Sequence, residues 1–306
     1  YEFGPHSREA VENARTIIAD TLGVQTSELY FTSGGTESDN WALKATMEAY
    51  AFRGRHMITT QIEHHAIGNT CEYLRKRGFE VTELPVDRDG RISLEQLEHA
   101  IRQDTVLISI MCATNEIGTL QDMEAIGEIA RRRGVIFHTD AVQAYGQIPI
   151  DVNGWNVQML SASSHKFYGP KGCGFLYMKQ GLRTESMIHG GSQESGRRAG
   201  TENVPGIVGM AKAAQLAFAH MNETMERETW MRDRMIHHIC SEIPGAFLVG
   251  SQTHRLPGNL NICFPGIQAS NLVLLLDEAG ICVSAGSACN TSEAEPSHVR
   301  KAVGLS

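Results

Sequence analysis

Lys166 closes the run Ser163-Ser164-His165-Lys166, and upstream of it His138-Thr139-Asp140-Ala141-Val142-Gln143 follows a short apolar stretch. A primary amine set among hydroxyl and imidazole donors suits an aldehyde cofactor that also carries a phosphate. An aspartate at the end of a neighbouring strand suits that cofactor's ring nitrogen. Pyridoxal phosphate asks for both: a Schiff-base lysine, and a carboxylate that keeps the ring nitrogen protonated so that the ring can accept electrons. Taken singly, Lys166 also reads as a solvated loop lysine and Asp140 as a helix N-cap, because short patterns match by chance.

Other segments add to the pair. Ser33-Gly34-Gly35-Thr36 follows the β-rich run Leu29–Thr32 and opens a helical pattern. Small residues there let backbone N–H groups approach a phosphate, with the helix dipole favouring the anion. No Walker lysine follows, so a nucleotide P-loop fits poorly, and an ordinary strand-to-helix turn stays open. In Glu63-His64-His65, a histidine could stack on an aromatic cofactor and shuttle protons. Zinc would need further ligands at suitable spacing. Asn115, in Ala113-Thr114-Asn115-Glu116, could bond a ring hydroxyl or a substrate carboxylate. Cys289 lies in Ser284-Ala285-Gly286-Ser287-Ala288-Cys289-Asn290, the small polar neighbours that a mobile, exposed thiol needs. Cys112, Cys263 and Cys282 adjoin apolar runs and are expected to be inert core residues. His237-His238 reads as a solvated face.

The elements that must hold these residues alternate. Strands are expected at Leu29–Thr32, Met57–Thr60, Glu80–Leu84, Val106–Met111, Val135–His138, Met159–Ser161 and Gly174–Met178. Helices are expected at Thr36–Tyr50, Leu94–Arg102 and Met123–Arg133, with a first helix capped by Ser7 and stopped at Gly23. This order predicts an α/β fold, a mostly parallel seven-stranded sheet with helices on both faces. A smaller α+β unit follows, with a long helical stretch from Ile207 to Ile243, a helix at Ser270–Ala279 and a strand at Ile281–Val283. The division expected is a large cofactor-binding domain over residues 1–210 and a small domain over 211–306.

The formal charge of −8 over 306 residues argues against a nucleic-acid binder. The one basic run, Arg131-Arg132-Arg133, suits a helix C-terminus. No apolar run approaches the roughly 18 residues of a membrane helix, and Tyr1-Glu2-Phe3-Gly4 shows no leader pattern. Seven cysteines, an odd number without a C-x-x-C pair, point to reduced thiols and a cytoplasmic chain.

Read together, eight segments resemble, in order, the NifS/IscS-like cysteine desulfurases of the class V aminotransferase family, within fold-type I pyridoxal-phosphate enzymes. They are Thr32-Ser33-Gly34-Gly35-Thr36-Glu37-Ser38, Glu63-His64, Asn115-Glu116-Ile117-Gly118, His138 to Gln143, Ser164-His165-Lys166, Gly169-Pro170-Lys171-Gly172, Arg198-Ala199-Gly200-Thr201 and Gly286-Ser287-Ala288-Cys289. The resemblance implies that Lys166 holds the aldehyde, Asp140 the ring nitrogen and Gln143 the ring hydroxyl. His64 would stack on the ring, and Gly35, Thr36, Ser163 and His165 would take the phosphate. Thr201 would reach the partner's site in a homodimer. The implied reaction turns L-cysteine into L-alanine, leaving a persulfide on Cys289 for a sulfur acceptor such as an iron–sulfur scaffold or a thiolation enzyme.

Differences from the pattern are Asn290 after Cys289 and Gly35 where Ala is usual. The family also carries an Asn/Ser-Ala-Thr-Thr run upstream of Tyr1 and a substrate-carboxylate Arg past Ser306, so the small domain is expected to be incomplete here. The competing readings are a selenocysteine lyase, a class V aminotransferase, or a non-catalytic scaffold fragment. A plain aminotransferase has no need of Cys289.

Overall fold

The structure, a computed structural model, describes residues 3–285 and 297–305. Its sheet is built from β1 (Leu29–Thr32), β2 (His56–Thr60), β3 (Glu80–Leu84), β4 (Thr105–Ser109), β5 (Ile136–Asp140), β6 (Met159–Ser163) and β7 (Gly174–Met178), in the order β1-β7-β6-β5-β4-β2-β3. Four adjacent pairs are parallel, and β7 runs antiparallel to both β1 and β6. β1 therefore points the same way as the other five, and six strands end at one edge.

Successive side chains of a strand face opposite sides, and the apolar residues divide accordingly. Phe31, Ile58, Ile108, Phe137, Leu160 and Phe175 face one core, shared with α1 (Phe3–Leu22), α4 (Leu94–Ala100), α5 (Met123–Arg133) and α6 (Val204–Ala219). Tyr30, Met57, Leu107, Ile136, Met159 and Leu176 face the other, under α2 (Gly35–Ala49) and α3 (His65–Lys76). Both faces are covered, as parallel sheets require. The Arg131–Arg133 run does close α5, with Gly134 left-handed at its end.

Three expectations change. α1 begins at Phe3 rather than after Ser7, because Pro5 is tolerated in a first turn whose N–H groups lack helical partners. The stretch after Val204 is two helices, α6 and α7 (Met221–Glu242), broken at His220, where φ −112° and ψ 11° leave the helical region without a Gly or Pro to mark it. Ile281–Val283 forms no strand among the described residues, and Ile281 and Val283 are exposed. The rest of this part comprises the hairpin β8 (Phe247–Leu248) with β9 (Ile262–Cys263), then α8 (Ala269–Glu278) and α9 (His298–Ala302).

Candidate cofactor site

In open α/β sheets, ligands bind outside the carboxyl ends of the strands, and the functional candidates gather there. A cavity of about 520 Å³ is lined by Gly35 and Thr36 beyond β1, His64 beyond β2, Asn115 beyond β4, Asp140 and Gln143 from β5 onward, and Ser163, His165 and Lys166 from β6 onward. Nine of the candidates named from sequence thus meet in one place. Thr201 does not line this cavity and is exposed. Cys289 lies outside the described residues.

Lys166 sits in a single 3-10 turn, Ser164–Phe167. Backbone bonds close that turn: Ser164 N–H to Cys173 C=O at 3.1 Å and Gly169 N–H to Ser164 C=O at 3.0 Å. Gln147 Nε2 holds the Lys166 carbonyl at 3.1 Å. The half-buried lysine is thereby presented by bonds that do not use its amine.

The anion cradle is the start of α2. The first helical bond is donated by Ser38 N–H to Gly34 C=O at 3.1 Å, so the N–H groups of Gly35 and Thr36 precede it and are free for a ligand. Gly34 has φ +148°, a conformation that disfavours side chains. Glu37 ties the turn together by accepting from Ser33 N–H at 2.7 Å and from Arg198 through two bonds of 2.7 and 3.0 Å. Opposite, Ser163 Oγ and His165 Nδ1 lie 3.0 Å apart.

Gly35 is the position where the sequence departs from the usual Ala. A Cβ there would lie 2.5 Å from Val142 Cγ2, too close without movement. Gly35→Ala should therefore lose about 1–3 kcal/mol of stability, and Val142→Ala should restore most of it. Denaturant unfolding of the four chains measures this coupling; additive effects would show that the two sites do not meet.

Asp140 is buried, and its Oδ1 accepts from Val142 N–H at 2.8 Å. Burial pushes its carboxyl up to about 6, against the Val142 bond and the charge of Lys166, which pull it down. A buried carboxylate of this kind gains from a cation placed beside it. His64 caps α3, its Nδ1 accepting from Ala66 N–H at 3.1 Å. Burial and the nearby His65, Lys166 and His298 lower its pKa. The neutral ring therefore carries its proton on Nε2. A helix start with free N–H groups, a half-buried amine and a buried carboxylate at three corners of one cavity fit pyridoxal phosphate. The lone-lysine and N-cap readings leave that convergence unexplained.

Among the lining residues given no role from sequence are Asp39, Lys171 and Met111. Lys171 carried a signal, since it lies in the Gly169–Gly172 motif. Asp39 and Met111 carried none. Cys112 is buried, its thiol pushed to about 12 by burial and by Asp140. Cys282 is exposed and Cys263 half-buried, contrary to the core placement expected. Cys263 packs only at the margin of the small cluster of Ile62, Ile117, Val249, Val299 and Val303, and Ile281 and Val283, which flank Cys282, are exposed.

Residues on either side of the segment that contains Cys289 meet the site. Ser284 lines the cavity. Ser297 Oγ donates to Glu116 Oε2 at 2.5 Å, and His298 Nε2 donates to the Glu63 carbonyl at 2.8 Å, next to Asn115 and His64 respectively.

A parallel sheet with a lysine, an aspartate and a phosphate turn at its strand ends defines a fold-type I pyridoxal-phosphate enzyme. Residues 1–305 match the family model described as aminotransferase class-V, and the chain belongs to that family. A cysteine desulfurase IscS from Methanosarcina thermophila is 52% identical over 305 residues, spanning 100% of this chain and 75% of its own length. Another, from Dictyoglomus turgidum, is 47% identical and spans 100% of this chain and 77% of its own length. Among solved structures, a NifS-like protein superposes with a TM-score of 0.92 at 40% identity, covering 99% of this chain and 80% of its own. The structure titled SspA in complex with cysteine gives 0.87 at 38% identity, covering 100% and 85%.

Proposed function

We propose that the chain is a pyridoxal-phosphate-dependent cysteine desulfurase that converts L-cysteine to L-alanine and carries the sulfur as a persulfide on Cys289. The observation that carries this reading is the meeting of Gly35, Thr36, His64, Asn115, Asp140, Gln143, Ser163, His165 and Lys166 in one cavity. Relatives named cysteine desulfurase across the whole chain support the reaction.

Bound pyridoxal phosphate supplies an electron sink for the α-carbon of an amino acid. The chain's residues do the rest. The N–H groups of Gly35 and Thr36, with Ser163 and His165, would hold the phosphate. Asp140 carries the negative charge that would favour a protonated ring nitrogen, and Gln143 would bond the ring hydroxyl. Lys166 would hold the aldehyde carbon and would move the substrate α-proton. His64 would lie against the ring and offer a proton from Nε2. Cys289, as thiolate, attacks the substrate sulfur. The Cβ–S bond breaks, an S–S bond forms on Cys289, and Cβ takes up a proton to give alanine.

Further parts of the reading concern assembly. The chain acts as a homodimer in which Thr201 reaches the partner's phosphate. Its support is the exposure of Thr201 at the end of a segment held to α2 by the Arg198–Glu37 pair. The persulfide passes to an iron–sulfur scaffold or thiolation enzyme. The site of action is cytoplasmic, in keeping with the free cysteines among the described residues. No helix among the described residues is long and apolar enough to cross a membrane.

The direct test follows L-cysteine turnover by sulfide and alanine release after loading with pyridoxal phosphate. Cys289→Ala should abolish sulfide release while the yellow colour persists. Undiminished turnover in that variant would remove the persulfide mechanism.

A further inference from the structure

Across the face of the sheet that α2 covers runs a line of buried polar side chains. Ser109 of β4 lies beside His138 of β5, and Ser161 of β6 lies on the other side. Ser109 Oγ is 2.9 Å from His138 Nδ1, and Ser161 Oγ is 3.0 Å from Nε2. Burial drives the imidazole down to about 3, so His138 is neutral: one ring nitrogen donates to its serine hydroxyl and the other accepts from its serine hydroxyl. Asp39, from α2, sits over this line. It is 1% exposed, and its Oδ1 lies 3.8 Å from His138 Nε2, beyond hydrogen-bond reach. That oxygen has no hydrogen-bond partner, yet the residue lines the cavity beside Asp140.

An unpaired buried carboxylate is costly, and a neutral imidazole does not offset it. Burial foremost, then the charges of Asp140 and Glu63, push the Asp39 carboxyl well above its usual range, while the Ser161 hydroxyl pulls the other way. Glu63 is itself raised to about 8, chiefly by burial. The groups facing Asp39 are thus His138, Asp140 and Ser161 from the sheet and Glu63 from the turn after β2. Among the described residues no lysine or arginine shifts the Asp39 carboxyl, although Lys166 and Lys171 line the same cavity.

We propose that Asp39 is a positioning residue for the cofactor ring: with Asp140 it forms a buried pair that holds one proton and releases it to solvent when the ring cation settles against Asp140. Asp39 acts through Asp140 and is not itself catalytic. The inference rests on the cavity taking pyridoxal phosphate. Its consequence is a pH linkage. A cation beside the pair favours two charged carboxylates, so it draws the pKa of Asp39 down from its raised value. Below that window Asp39 is protonated with or without the ring, and its contribution is constant. Within the window, binding releases a proton, so affinity rises with pH. An asparagine at this position is neutral throughout and cannot contribute that rise.

The test compares pyridoxal phosphate Kd for wild type and Asp39→Asn from pH 6 to pH 9, by absorbance titration of the chain stripped of cofactor. The ratio of variant to wild-type Kd should rise with pH across this range. The rise should reach about five- to tenfold, since each pKa unit drawn down corresponds to about a factor of ten. A purely structural role shifts Kd equally at every pH, and a flat ratio overturns the proposal. Absence of saturable binding by wild type would sink the cofactor reading and this inference with it, whereas binding with a flat ratio sinks the inference alone. Should Asp39→Asn not fold, infrared difference spectra of wild type across the same pH range replace it. Adding cofactor should remove a protonated-carboxyl band that moves with carbon-13 labelling of aspartate, which separates it from Glu63. No such band would overturn the proposal.

Discussion

Lys166→Ala should fold normally, take up pyridoxal phosphate without forming the yellow protonated imine, and lose L-cysteine turnover by at least about 10³-fold. The fold should survive because the turn that carries the lysine is closed by backbone bonds and by Gln147 on the Lys166 carbonyl. None of these uses the amine. A half-buried side chain outside the core typically costs within about 0.5 kcal/mol when removed, so the melting temperature should change little. The phosphate groups stay in place, since Gly35, Thr36, Ser163 and His165 are untouched. Bound cofactor should therefore absorb as a free aldehyde. Retained yellow colour would mean that another amine, such as Lys171, the other lysine of the lining, holds the cofactor. Absorbance spectra and sulfide release from one preparation decide the matter.

What was legible in the sequence divides along physical lines. Apolar runs such as Val106–Met111 reveal buried strands, and the polar residue just past each run is then placed at the ligand-binding edge. Asp140 and Lys166 were readable this way. The exposed flank of Ile281–Val283 shows the failure of the same rule, because an apolar run forms no strand without a neighbour to bond. The His220 break was hidden because no Gly or Pro carries it. Asp39 was hidden for a different reason. In Glu37-Ser38-Asp39-Asn40 it reads as part of a polar helix start, and only the seating of α2 on the sheet turns it inward over His138. His138 had a motif but no assigned task. Its two serine partners come from strands whose adjacency is fixed only by the sheet order. Local chemistry is written in short segments, whereas a buried polar line across three strands is a property of their register.

Asp140→Asn should separate cofactor capture from cofactor use: the yellow colour forms, and turnover falls by about 10²–10³-fold, the scale of losing one preorganised electrostatic partner. Asn can keep the geometry, because its amide oxygen can still accept from Val142 N–H as Oδ1 does at 2.8 Å. Its other end then presents an N–H donor to the ring nitrogen where the aspartate presents an acceptor. A donor there favours the unprotonated ring, so the electron sink weakens although the ligand stays bound. Burial strengthens the effect, because little solvent is left beside the carboxylate to screen the change of sign. The loss should appear in kcat more than in KM, since substrate contacts are unaltered. A variant with full turnover would show that protonation of the ring nitrogen does not limit this reaction. The same substitution also removes the charge that acts on Asp39 after burial. The pH linkage expected of Asp39 should therefore collapse in Asp140→Asn even though Asp39 is intact, which ties the two carboxyls into one electrostatic unit.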